Sequence, residues 1–201
     1  MRKLIKILVF ITFSFGLIST SSFSYNSDPK TFINELVQDA IGTLSNKNVS
    51  LTDKNKKIEI IALENVDINA LGLYTLGQVR KSLDKETLKE YQNLFEKYFL
   101  KSLTSRLTDY SSQKFEVLEA EQKSQTYTIV SSRIVESSSQ PEIKIDWRVY
   151  TKDPENPLIR DLIVEGLSLA KTQKEEFASI LDSNNNDINI LFSKLRDFIK
   201  N

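Results

Sequence analysis

The chain has 201 residues, of which 40% are hydrophobic and 27% charged, proportions typical of an ordinary globular protein with a single domain. It contains no cysteine and no histidine, which excludes disulfides, thiolate nucleophiles, histidine-based catalytic triads and the commonest zinc ligands. The five glycines never cluster, so the sequence offers no glycine-rich phosphate loop and nucleotide binding is not predicted.

Residues 1–24 are predicted to be a secretory signal peptide. Three basic residues precede an apolar run at 7–18, and the small residues Ser22 and Ser24 suit cleavage before Tyr25. The run is shorter than the roughly 20 residues of a transmembrane helix, although an uncleaved anchor is the alternative. The mature chain would carry 24 basic and 27 acidic residues, a net charge of −3. Charge alone would therefore hold neither nucleic acid nor an anionic membrane surface.

Helical spacing of apolar residues predicts four helices in the N-terminal half, over about 28–45, 53–62, 68–76 and 84–110. Aspartates precede the first, third and fourth as N-caps, and Pro29 suits the first helical position. The fourth helix carries an aromatic-rich stripe, which predicts core packing with part of the stripe lining a concave pocket. The stripe consists of Leu88, Tyr91, Phe95, Tyr98, Phe99, Leu103, Leu107 and Tyr110.

Alternating apolar and polar residues then predict four strands joined by short turns, which indicates an antiparallel meander with one apolar face. The strands are predicted over 113–120, 125–136, 142–151 and 158–165, and the first turn over 121–124. On the last strand, Leu158, Leu162 and Val164 are predicted to share one face, and Ile159 and Asp161 the other.

Two more helices are predicted after the strands, one from a capping box at Thr172 and Glu175, the other over about 188–199. The order of helices, strands and helices indicates an α+β fold. We expect a four-stranded antiparallel meander covered by helices from the N-terminal half and the C-terminus, enclosing an apolar pocket. The chain is predicted to consist of a signal peptide at 1–24 and a single domain at 25–201. Within that domain, residues 25–111 and 169–201 are predicted to be helical, and residues 112–168 to form the sheet.

The carboxylates of Asp161 and Glu165 are the one candidate catalytic pair in the sequence. On one strand they would lie roughly 13 Å apart, at about 3.3 Å per residue. Glycosidase pairs lie roughly 5 to 9.5 Å apart. Surface pairing with Lys or Arg is the favoured interpretation, and the chain is predicted not to be an enzyme.

The segment 161–169, DLIVEGLSL, followed by Lys174 and Phe177, resembles the D-V-x-V-E-G-V-S-L…R-x-x-F pattern of MlaC-type proteins. These are the toluene-tolerance-related periplasmic phospholipid-binding components of an ABC transport system. Segment 67–77 is similar to the D-F-x-x-I…L-G segment of that family, and 95–103 to its F-x-x-x-F-x-x-x-L helix. Lys174 stands where the family usually has arginine.

The resemblance implies a periplasmic carrier that shuttles glycerophospholipid as cargo, without a cofactor or metal, in a system that maintains outer-membrane lipid asymmetry. Its partners would be an inner-membrane ABC transporter complex and an outer-membrane lipoprotein–porin complex, met transiently by a monomer, with no nucleic acid involved. Each acyl CH₂ hidden from water is worth about 0.8 kcal/mol, so two tails need shelter during transit. ATP would have to be used by a partner.

The phospholipid-binding pocket is predicted to be lined by apolar side chains from both helices and sheet. They are Leu73, Leu76, Phe95, Phe99, Leu103, Ile129, Ile145, Trp147, Val149, Leu162 and Val164. Plain core packing is the alternative for each of them, and it applies most strongly to Leu103 and Val164. Two alternatives stay open for the whole chain: an exported protein-binding module whose cavity is filled by its own side chains, and an enzyme of the same outline.

Overall fold

A computed structural model describes residues 25–107, 114–135 and 141–201. The predicted signal peptide and Tyr110 of the aromatic stripe lie outside these ranges. The helices are α1 (Pro29–Ser45), α2 (Leu51–Asn65), α3 (Ile68–Thr75), α4 (Lys85–Leu107), α5 (Leu169–Asp182) and α6 (Ile188–Lys200), with a short 3-10 helix at Val79–Lys81. The strands are β1 (Phe115–Ser124), β2 (Tyr127–Ile134), β3 (Ile143–Tyr150), β4 (Leu158–Val164) and β5 (Leu167–Ser168). No helix in the described ranges is long and apolar enough to cross a membrane.

The five strands form one antiparallel sheet in the order β1-β2-β3-β4-β5, which confirms the α+β meander with one short strand added. The predicted turn at 121–124 is wrong, because β1 continues to Ser124 and only Gln125 and Thr126 turn the chain. Residues 121–124 are exposed and polar. They extend as a strand because β2 supplies their ladder hydrogen bonds, for which apolar side chains are not needed.

A bulge in β4 changes the predicted faces of that strand. Ile159 lies across from Val149 and Asp161 across from Arg148, so Arg160 is an extra residue without a cross-strand partner. Ile159 therefore turns into the core, where it is 5% exposed, and Leu158 turns to the opposite face. The prediction for these two residues is wrong because it assumed an uninterrupted alternation.

The described residues form two apolar cores, one under the sheet and one among the later helices. The sheet core consists of Phe32, Ile33, Leu36, Val37, Leu44, Ile58, Ile61, Val130, Val149 and Ile159. The helical core consists of Ile68, Leu76, Tyr91, Phe95, Phe177, Leu181, Leu191, Phe192 and Leu195. Val66, which follows α2, packs at the edge of both.

Local capping signals place most of the helix starts. Asp28 accepts a hydrogen bond from the Thr31 amide at 2.9 Å, and Asp67 from the Ala70 amide at 3.1 Å. The predicted capping box at Thr172 is wrong, since α5 begins three residues earlier and is capped by Ser168.

Candidate functional site

One face of the sheet is fully buried near α1 and half-buried toward β5. Val149 and Ile159 are closed off in the sheet core. Further along the same face, Trp147 lies across from Leu162 and Ile145 across from Val164, and all four are only half-buried. We call the four residues Ile145, Trp147, Leu162 and Val164 the apolar wall. Their neighbours cover them incompletely, so hydrocarbon surface remains available on this part of the sheet.

The indole of Trp147 is held in a fixed orientation. Its Nε1–H donates to Ser132 Oγ at 2.8 Å, and that hydroxyl donates to the Ile145 carbonyl oxygen at 2.8 Å. The ring of Phe115 packs edge-on against it, with centroids 6.2 Å apart. Since the polar atom of Trp147 is satisfied within the sheet, the indole can offer its apolar surface to a ligand.

The aromatic stripe of α4 connects the helical core with the edge of the sheet core. Phe95 is buried in the helical core at 4% exposure, and Phe99 stacks on it with ring centroids 6.4 Å apart. Leu103, one helical turn further, packs against the edge of the sheet core, and so does Trp147. Phe99 and Leu103 are half-buried, as the apolar wall is. The stripe therefore carries partly covered apolar side chains from the helical core to the edge of the sheet core.

Six of the eleven predicted lining residues are half-buried members of the apolar wall or of the α4 stripe: Phe99, Leu103, Ile145, Trp147, Leu162 and Val164. Leu76, Phe95 and Val149 are buried within the two cores, and Leu73 is half-buried on α3. Ile129 lies on the opposite sheet face from Trp147, because its partner on β3 is Arg148. Contact with a ligand stays a prediction for all eleven.

Sequence reasoning missed Ser132, a buried hydroxyl that orients the tryptophan of the wall. The signal that could have found it is its position between Val130 and Ile134 in the alternating pattern of β2. A serine on the apolar face of a strand needs a partner for its hydroxyl, and here it has two.

The DLIVEGLSL segment forms a hairpin that is joined to the start of α5. Glu165 and Gly166 link β4 to β5 with φ angles of 50° and 81°, the two positive values of a type I′ turn. Asp161 is 3% exposed and accepts a hydrogen bond from Ser168 Oγ at 2.6 Å and from the Ala170 amide at 3.0 Å. Its carboxylate also lies 3.5 Å from Arg148. The expected pairing with a basic residue is thus present for Asp161, but its expected place at the surface is wrong, because this carboxylate is buried and fixes the hairpin to a helix.

Lys174, the residue that replaces the usual arginine, packs on the end of α3. Its Cε would lie 3.5 Å from a β-carbon built on Gly77, whose φ of +62° favours glycine. Its ammonium lies 5.1 Å from the centre of the Tyr74 ring. Lys174 therefore joins α5 to α3, and these contacts support the fold.

Arg160, the bulge residue, links the sheet to the N-terminus of α3. Its Nη2 and Nε lie 2.6 and 2.8 Å from Asp67 Oδ2, and its guanidinium stacks 3.3 Å above the Tyr150 ring. Burial acts to lower the pKa of Arg160, but hydrogen bonds with Tyr127 and Asp67 raise it overall. The guanidinium stays charged and keeps α3 next to β4.

The structure offers little support for a polar ligand site elsewhere in the described ranges. Those ranges contain no group of three or more His, Cys, Asp or Glu residues able to bind a metal ion. A cleft between α1 and α2 has a volume of about 150 Å³ and is lined by Asp39, Asn46, Asp53 and Lys57 among others. Ligand pockets usually measure about 300–1,000 Å³, so this cleft is too small for a lipid.

Comparisons with known proteins bear on the family and on the fold. A family model described as "MlaC protein" matches residues 34–197. A solved phospholipid-binding protein from Ralstonia solanacearum, determined in complex with a phospholipid, has a similar fold with a TM-score of 0.70 and 17% sequence identity. The similarity covers 84% of this chain and 94% of that chain, and at this identity it shows the fold alone. A comparison with curated protein sequences found no match.

Proposed function

Because the chain belongs to the MlaC family, we propose that it binds a phospholipid whose acyl chains lie against the apolar wall and the α4 stripe. The structurally similar protein from Ralstonia solanacearum was solved with a phospholipid, which supports the same cargo here. At about 0.8 kcal/mol per CH₂, sheltering one chain of roughly sixteen carbons is worth on the order of 10 kcal/mol. A site made of hydrocarbon side chains is sufficient for that task.

The proposal extends to a carrier role in the periplasm. The chain would shuttle glycerophospholipid between the outer and inner membranes as part of an ABC-type system that maintains outer-membrane lipid asymmetry. An outer-membrane lipoprotein–porin complex and an inner-membrane ABC transporter complex would be its partners. The N-terminal basic and apolar pattern supports export, and the lack of a glycine-rich phosphate loop assigns ATP use to a partner. The proposal assigns the chain binding and transport, and no chemical reaction.

The observation that carries the proposal is the half-covered state of Ile145, Trp147, Leu162 and Val164. Elsewhere on the same sheet face, Val130 and Val149 are completely buried by their own neighbours. These four adjacent apolar side chains stay partly accessible in the folded protein and form a surface against which an acyl chain can pack.

The test is to purify the mature chain, extract it with organic solvent and identify bound lipid by mass spectrometry. We expect phospholipid in stoichiometric amount, and uptake of labelled phospholipid when a delipidated sample is mixed with vesicles. A sample that neither contains lipid nor takes it up would contradict the proposal and favour the protein-binding module. The carrier role is then tested by delivery of labelled phospholipid from the loaded protein to the ABC transporter complex in proteoliposomes.

A further inference from the structure

A row of apolar side chains runs from the wall to solvent across three strands. Ile145 on β3 lies across from Val164 on β4, which lies across from Leu167 on β5, so all three share one face. Ile145 and Val164 are half-buried, whereas Leu167 is 68% exposed. Leu169, the first residue of α5, is 45% exposed. Apolar surface therefore continues without interruption from the proposed lipid site to the outside of the molecule.

The structure maintains the exposure of Leu167. The two-residue turn at Glu165 and Gly166 and the bonds of Asp161 to the following segment fix the hairpin on both sides. Leu167 is paired in the sheet on this rigid hairpin, so it cannot turn inward without breaking the β4–β5 ladder. A leucine fixed in this exposed position has to be covered by something other than its own chain if it is to leave water.

Charged residues of both signs flank Leu167 and Leu169 along the chain. Glu165 accepts a hydrogen bond from the Lys144 amide at the turn, and Lys171 lies 3.7 Å from Glu175 on the first turns of α5. The balance of signs gives no field that would attract an anionic partner. Contact at this point would depend on hydrocarbon insertion, and an uncharged lipid interface fits that chemistry.

We propose that Leu167 and Leu169, here called the hairpin tip, insert into the surface of a phospholipid bilayer. The row Ile145–Val164–Leu167 then provides the path along which an acyl chain passes between the bilayer and the wall. This inference rests on the proposed lipid cargo, because the path is of use only if the wall receives a lipid. The continuity of the row with the wall favours a lipid surface over a protein partner.

The test compares two double variants of the mature chain that remove similar exposed leucines. Leu167→Gln with Leu169→Gln alters the tip, and Leu51→Gln with Leu118→Gln alters leucines that are 60% and 45% exposed on α2 and β1. Delipidated protein is mixed with phosphatidylcholine vesicles that contain a self-quenched fluorescent phospholipid, and the initial rate of dequenching is measured. Bound lipid after loading and the melting temperature are measured for each variant.

We expect the tip variant to take up lipid about tenfold more slowly than wild type, since inserting two leucines into hydrocarbon accounts for at least that factor. The amount of lipid bound at completion should be unchanged, and the control variant should match wild type. Salt should have little effect on the rate, because the contact is apolar.

Uptake by the tip variant at the wild-type rate would overturn the inference and assign the tip to a protein partner. The proposed function would still stand in that case, because both proteins would still bind lipid. An equal loss in the tip and control variants would also overturn it, because general surface hydrophobicity would then explain the rate. A wild-type protein that binds no lipid would instead refute the proposed function, together with the path that depends on it.

Discussion

Replacing Asp161 with alanine tests whether the DLIVEGLSL segment supports the fold or contacts the cargo. The substitution removes two charge-assisted hydrogen bonds, from Ser168 Oγ at 2.6 Å and from the Ala170 amide at 3.0 Å. It also removes the 3.5 Å contact with Arg148, whose side chain is 44% exposed, so this pair is worth less than about 1 kcal/mol.

The expected loss follows from which partners remain unsatisfied. Ser168 Oγ still accepts a hydrogen bond from the Lys171 amide at 3.0 Å, whereas the Ala170 amide is left buried without its acceptor. Hydrogen bonds to a charged group contribute about 1.5–3 kcal/mol each, so we expect a loss of about 3 kcal/mol in the free energy of unfolding. Asp161→Asn keeps the shape of the side chain and one acceptor oxygen, so its free energy of unfolding should fall by about half as much.

The assay is urea unfolding followed by circular dichroism, with bound lipid measured on the fraction that remains folded. At a slope of about 2 kcal/mol/M, the midpoint for Asp161→Ala should fall by about 1.5 M. Asp146→Asn, on the neighbouring strand β3 and on the same face of the sheet as Asp161, serves as the control and should change the unfolding midpoint little. An unchanged midpoint combined with loss of bound lipid would refute the reasoning, because Asp161 would then act on the cargo and not on the hairpin.

Three further outcomes are expected. Leu162→Asn should abolish lipid uptake, whereas Ile163→Asn, on the opposite face of the same strand, should retain it. The vesicle assay measures the uptake, and circular dichroism shows whether each variant is folded. Tyr91→Phe should cost about 1 kcal/mol because the buried hydrogen bond to Thr75 Oγ1, 2.8 Å long, is lost. Burial raises the pKa of Tyr91, so the folded protein keeps this phenol neutral at a pH where the unfolded chain ionises it. The free energy of unfolding should therefore fall above about pH 10, and it should fall less steeply in Tyr91→Phe when unfolding is measured against pH. Gly166→Ala should destabilise the hairpin by about 1–2 kcal/mol in urea unfolding, because a φ of +81° is unfavourable for alanine; an unchanged midpoint would contradict the turn assignment.

The sequence predicted the parts of the fold that depend on neighbouring residues. Asp28 and Asp67 cap helices as expected, because a cap is decided within three or four residues. The meander of strands was likewise predictable, since short turns leave few alternatives to antiparallel pairing. Local signals were therefore sufficient for the class of fold and the order of its elements.

The sequence prediction differs from the structure where two local signals compete or where a partner strand decides. The capping box at Thr172 predicts a later start for α5, but Ser168 offers an equally local cap through the Lys171 amide. Asp161 accepts a hydrogen bond from the Ser168 hydroxyl and so favours the earlier start. Ile129 lies on the sheet face away from Trp147, because the register with β3 puts its neighbour Val130 on the face of the apolar wall. Alternation predicts that two faces exist, but the partner strand determines which one the helices cover.

The bulge at Arg160 makes the chain one residue longer than strand pairing demands. Deleting that residue would leave Ile159 across from Val149 and Asp161 across from Arg148, so every pair on either side would survive. What would be lost is the ion pair with the Asp67 carboxylate and the stack on Tyr150, while the Asp67 amide would keep its hydrogen bond to the Ile159 carbonyl oxygen. A surplus residue in the ladder thus adds a charged side-chain link between α3 and the sheet to the one that the backbone makes.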